Sequence, residues 1–178
     1  MKNTILAAAA LLLLASCKKD VDTLPEATQT GAEIFGAKVN GENWIPRRGL
    51  VGGAQILEAR FTGTGGLFIN ARDLSSSPTE TEFELYIQNI SSTGVFPLEG
   101  ATDRYPNQSA SYGFYTRRRF NPLNDWITGP QYPGSITITR FDTAARIVSG
   151  TFSFRAGSTD NTADPIEVAE GRFDVKVN

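Results

Sequence analysis

A chain of 178 residues with no histidine and one cysteine, Cys17, has a short list of side chains able to do chemistry. Ser–His–Asp and Cys–His nucleophilic catalysis are excluded. So are the common zinc sites, which draw several ligands from Cys and His. No Gly-x-Gly-x-x-Gly or phosphate-loop pattern occurs, and Gly63, Gly65 and Gly66 sit between two strand-like runs rather than ahead of a helix. Carboxylates remain. Glu80, Glu82 and Glu84 alternate along residues 79–90, which spaces them by about 7 Å on one strand face. That separation falls within the range two acids need in a glycoside hydrolase. The plainer reading is a solvated strand face that discourages edge pairing, and it is preferred. Residues 160–165, DNTADP, offer oxygen ligands but lack the spacing of a calcium loop and read as a turn. No cofactor or metal is expected.

The most unusual composition lies in residues 105–132. Tyr105, Tyr112, Phe114, Tyr115, Phe120, Trp126 and Tyr132 are interrupted by Arg117, Arg118 and Arg119 and punctuated by Pro106, Pro122 and Pro130, with Pro133 just beyond. A strand over residues 110–116 leads into a long loop, and long loops in compact domains are often functional. Tyr115, Trp126 and Tyr132 can stack on a ligand while Arg117, Arg118 and Arg119 contact anions or hydroxyls; Tyr, Trp and Arg are also the residues that dominate protein-binding hot spots. The other reading is a cap, in which the loop folds over one end of the domain and buries its rings. Both stay open on the sequence alone.

The elements that must position these residues are strands. Phe35 to Val39 runs into Asn40-Gly41, a strong hairpin signal, and ENWIP returns from it. Residues 55–62 and 67–73 flank the Gly-rich turn at 63–66. In residues 79–90, Thr81, Phe83, Leu85 and Ile87 share one face and Glu80, Glu82, Glu84, Tyr86 and Gln88 the other, which predicts an antiparallel sheet with one buried and one wet face. SITITRF, RIVSGTFSFRA and GRFDVKV read as a C-terminal meander. No helical period persists beyond a turn or two. Nine or ten short strands in residues 34–178 predict an all-β, antiparallel two-sheet β-sandwich, with an up-and-down β-barrel as the alternative.

The N-terminus carries its own message. Lys2 precedes an unbroken run of Ile, Leu and Ala over residues 5–15, too short to span a bilayer. Small residues and Cys17 follow, the grammar of a signal peptide. Leu14-Ala15-Ser16-Cys17 resembles the lipobox of bacterial lipoproteins. The resemblance implies cleavage after residue 16 and acylation of Cys17, so the thiol is an anchor rather than a nucleophile. Two or three acyl chains hold a protein to a membrane durably where one does not. Residues 1–16 are then a signal peptide and residues 17–33 a lipidated, flexible tether. Removing residues 1–16 takes Lys2 with it and leaves 16 basic against 19 acidic side chains, a balance of −3. That balance disfavours nucleic acid as a partner. Lys18-Lys19-Asp20 loosely resembles a surface-export signal, which leaves both faces of an outer membrane open.

AKVNGENW at 37–44, GSITIT at 134–139, IVSGTFSF at 147–154 and EGRF at 170–173 occur in that order behind the lipobox. Together they resemble the small uncharacterised β-sandwich lipoproteins of Bacteroidota. No functional residue follows from that resemblance. The expected function is a lipid-anchored, non-catalytic binding or interaction module of the cell envelope, with a glycan or an envelope protein as partner. A passive structural lipoprotein and a carboxylate-based glycan hydrolase are the alternatives.

Overall fold

A computed structural model of the protein describes residues 23–50, 53–76, 79–118 and 124–178. Cys17, the signal segment and Arg119 lie outside them. The described chain is all-β. Its strands are β1 (Ile34–Val39), β2 (Glu42–Trp44), β3 (Leu57–Phe61), β4 (Leu67–Asp73), β5 (Thr81–Ile87), β6 (Gly94–Pro97), β7 (Tyr112–Arg117), β8 (Asn124–Ile127), β9 (Gly134–Asp142), β10 (Ile147–Ser158) and β11 (Ile166–Lys176). They form one sheet in the order β2-β1-β11-β10-β8-β7-β5-β4-β3, with β9 added on β10 and β6 on β9. Every strand pair is antiparallel.

The long strand β10 is what curls the sheet. Ile147 to Ala156 pair with β11, and the same stretch pairs on its other side with β9. Gly157 and Ser158 then switch to β8. One strand thus belongs to both halves, and the halves face each other across one core. The all-β antiparallel expectation holds; the arrangement is a single curled sheet between sandwich and barrel. The predicted hairpins are present. Asn40 and Gly41 take φ of 50° and 85°, the left-handed values a two-residue hairpin turn requires, and Val39 pairs with Glu42.

Phe83 on β5 sits at the centre of the core. Its ring centroid lies 4.7 Å from Trp44, 4.8 Å from Tyr115 and 5.5 Å from Phe35. Phe152 and Phe154 close the ring of contacts from the opposite half at 6.2 and 6.4 Å. These edge and tilted pairings add to the burial of the rings themselves.

Two expectations are corrected. The first is the wet face of β5. Glu82, Glu84 and Tyr86 are buried, not solvated. Residues 101–110 fold over this outer face, where Phe68, Tyr86, Tyr112 and Phe114 form a second apolar cluster. The carboxylates survive there because each is paired. Glu84 accepts from Arg104 Nε at 3.0 Å and from its Nη2, and from the Tyr112 hydroxyl at 3.2 Å. Glu82 accepts from Asn70 Nδ2 at 2.6 Å and Arg118 Nη2 at 2.8 Å. The Arg104 guanidinium also lies 3.7 Å from the centre of the Phe114 ring. Burial, then the Glu84 charge, push the Tyr112 hydroxyl well above its ordinary range, so it stays a proton donor to Glu84. Arg104→Ala removes the guanidinium and leaves Glu84 buried with the tyrosine alone. A loss of about 1–3 kcal/mol is expected in urea unfolding, with part of it recovered in the Arg104→Ala/Glu84→Gln double variant.

The second correction concerns the tether. Its residues 24–33 are bound to the domain rather than free. Asp174, fully buried on β11, accepts from Thr28 Oγ1 at 2.7 Å and from the N–H groups of Thr30, Gly31 and Ala32 at 2.8, 2.9 and 3.0 Å. Ser149 Oγ on β10 supplies another bond at 2.7 Å. Arg172 Nη1 donates to the Pro25 carbonyl at 3.3 Å, and Arg140 Nη1 to the Gln29 carbonyl. The flexible tether expected over residues 17–33 is, across residues 24–33, organised by a single buried carboxylate.

Candidate functional site

The six residues expected to contact a ligand do not gather in one place. Tyr115 and Trp126 face each other across the β7–β8 pair and point into the core, 3% and 4% exposed. Their ring centroids are 5.8 Å apart, and Trp126 Nε1 donates to the Asp164 carbonyl at 2.8 Å. Neither can serve as a stacking platform; for these two the cap reading is correct. Arg118 turns to the outer face and pairs with Glu82. Arg117 lies at the end of the sheet, lining a polar recess of about 290 Å³ with Asp73, Ser76, Thr79 and Thr81. Arg119 is outside the described residues. Only Tyr132 borders a cleft suited to a small ligand.

That cleft has a volume of about 430 Å³ and lies between the β8–β9 turn, the start of the covering segment and the β10–β11 turn. Its construction is local. Gly129 N donates to the Tyr132 carbonyl at 3.1 Å and Tyr132 N to the Gly129 carbonyl at 3.0 Å, closing a tight turn on Pro130 and Gln131. Proline is suited to the first central position of such a turn. The Tyr132 ring then lies on the backbone of β10 at Gly157, where a Cβ would come within 2.4 Å of the ring. Glycine at 157 is therefore what lets the ring lie there. Arg155 packs its guanidinium 5.7 Å from the ring centre.

The opposite wall is set by the β10–β11 turn. Asp160 accepts from Ser158 Oγ and Thr162 Oγ1, both at 2.7 Å, and from Thr162 N at 3.0 Å. The Thr162 and Ser158 hydrogen bonds hold its carboxyl near a pKa of about 2. This ordered turn presents Asn161 to the cleft. Thr128 is buried and spends its hydroxyl on the Gly113 N–H. Thr102 accepts from Ser109 N and donates to the Asp103 carbonyl. The side-chain amides of Gln131 and Asn161 and the Tyr132 hydroxyl make no hydrogen bond among the described residues, and all three residues line the cavity. Ile127, Pro130 and the Tyr132 ring supply its apolar floor, and none of its lining residues carries a charge.

Sequence reasoning singled out Tyr132, read Asn161 only as part of a turn, and missed Gln131, Ser158, Thr102 and Gly157. The signal available was the Pro-Gln pair beside Tyr132 and the Asp-Asn turn at 160–165; their convergence depends on β10 crossing between the two halves.

Fold and cleft together define an all-β, curled-sheet domain with a charge-free surface cleft, no histidine in the chain and no cysteine among the described residues. The chain belongs to the DUF6252 family, a domain of unknown function, whose model matches residues 33–176. No curated protein and no solved structure matches it.

Proposed function

We propose that this is a lipid-anchored, non-catalytic binding module of the cell envelope, attached to an outer membrane through Cys17 and taking a neutral polyhydroxylated ligand, a glycan, in the Tyr132 cleft. One observation carries the reading: two side-chain amides and a phenol with unspent hydrogen-bonding capacity belong to residues lining one cleft, together with aromatic and aliphatic residues and no charged one. Ligand sites combine such an apolar surface with a few placed polar groups. Amides and hydroxyls match sugar hydroxyls as donors and acceptors alike, and the absence of charge disfavours anionic ligands. The hydrolase alternative loses support from the outer face of β5, where Glu82 and Glu84 are held by arginines and roofed by residues 101–110.

The test is an array of neutral and acidic glycans probed with wild type, Tyr132→Ala and Gly157→Ala. Wild type is expected to retain neutral glycans, with a loss of tenfold or more in both variants. Equal signal in wild type and Tyr132→Ala, or no glycan retained by wild type, contradicts the assignment. Trp126→Ala is unsuitable as a binding control, because its ring belongs to the core.

A further inference from the structure

The docked N-terminal segment determines which part of the domain can meet the membrane. Residues 24–33 are bound along β11, and Thr23 is the first described residue ahead of them. Thr23 lies six Cα–Cα steps from Cys17, a reach of at most about 20 Å when fully extended. The surface around Thr23 is therefore held close to whatever anchors Cys17.

That surface is apolar. Thr23 and Pro25 rim a groove of about 530 Å³ between the start of β1, the β2–β3 connection and the start of β3, at the seam between the two ends of the curled sheet. Ile34, Ile45, Pro46 and Ile56 line it, with Arg48 beside them. Two residues beyond Arg48, Leu50 stands fully exposed, the most exposed large apolar side chain among the described residues. Glu33, the acid at the rim, already accepts the Lys176 N–H at 2.6 Å.

We infer that Arg48, Leu50 and the groove rimmed by Thr23 and Pro25 are the bilayer-contacting surface of the protein, with Leu50 inserted at the headgroup–acyl boundary and Arg48 among the lipid phosphates. The inference rests on the lipid-anchor reading of Cys17. Its logic is that of interfacial binding, in which a leucine enters the acyl boundary and a long basic side chain keeps its charge in the headgroups. The short sequence distance between Cys17 and Thr23 makes the contact nearly intramolecular, which raises its effective concentration.

The experiment uses the mature, acylated protein reconstituted in vesicles of phosphatidylethanolamine and phosphatidylglycerol. Since acylation consumes the only native thiol, Leu50→Cys provides a single site for an environment-sensitive dye. Gln88→Cys provides the control: it is exposed in the turn after β5, at the opposite end of the β4–β5 pair from the Arg47–Asp73 contact. The expected result is flotation of both proteins with the vesicles, blue-shifted emission at position 50, and at least threefold stronger quenching there by lipid-borne quenchers than at position 88. Flotation with both dyes in water, or both quenched alike, overturns the contact surface and leaves the anchor standing. Failure to float overturns both.

Discussion

Phe83→Ala is expected to lower the unfolding free energy by about 3–5 kcal/mol, among the largest effects of any single side-chain truncation in this protein. Phe83 is fully buried and touches rings from β1, β2, β7 and β10. Its loss removes the surface that both halves of the sheet share, and the neighbouring rings are too rigid to collapse into the space. Urea denaturation followed by tryptophan fluorescence measures this directly, since Trp44 lies 4.7 Å from the Phe83 ring. Phe61→Ala, at a partly exposed ring near the sheet end, is the comparison and should cost about 1 kcal/mol or less. Equal losses in the two variants would show that the halves do not share a core around Phe83.

Asp174→Ala is expected to cost about 2–4 kcal/mol and to release the segment before β1. Truncation leaves the Ser149 hydroxyl and the N–H groups of Thr30, Gly31 and Ala32 without their acceptor. Each buried donor left unsatisfied costs about 1–3 kcal/mol, though those nearest the surface recover water. Amide hydrogen exchange at residues 30–32 should accelerate far more than at β5. Burial alone would raise the Asp174 pKa, but the bonds from Thr28, Ser149, Ala32 and Gly31 outweigh it and hold the carboxyl well below the ordinary carboxylate range. The folded-state pKa therefore lies under the unfolded value of about 3.9. The carboxylate's contribution is complete above that value and is lost as pH falls towards the folded one. Asp174→Asn should accordingly flatten the decline of stability below about pH 4 relative to wild type. An unchanged acid slope would remove Asp174 as its source.

The alternation TEFELYI identified Phe83, Leu85 and Ile87 as one buried face of a strand, and the fold agrees. The same alternation put Glu82 and Glu84 on the other face and could not say that the face is roofed. Two-residue periodicity reports which side chains share a face; whether that face meets water depends on a segment 20 residues away in sequence, Arg104 and its neighbours. Tyr86 among the glutamates, Phe68 on β4 and Tyr112 and Phe114 on β7 were the visible hints, because apolar side chains placed on a wet face need covering. The aromatic segment stays ambiguous in the sequence for a related reason. β8 is only four residues long, too short for alternation to register, yet its pairing with β7 turns Trp126 inward opposite Tyr115. Tyr132 escaped the core because the turn at Gly129 and the glycine at 157 hold it at the surface.

The most direct test of the binding account is a backbone-amide NMR titration of the mature protein with a neutral glycan retained on the array. The account predicts shifts concentrated on Thr102, Thr128 to Tyr132 and Gly157 to Asn161, saturating together and abolished by Tyr132→Ala. Shifts concentrated instead on the outer face around Arg60, Arg104 and Tyr105, and surviving Tyr132→Ala, would contradict it.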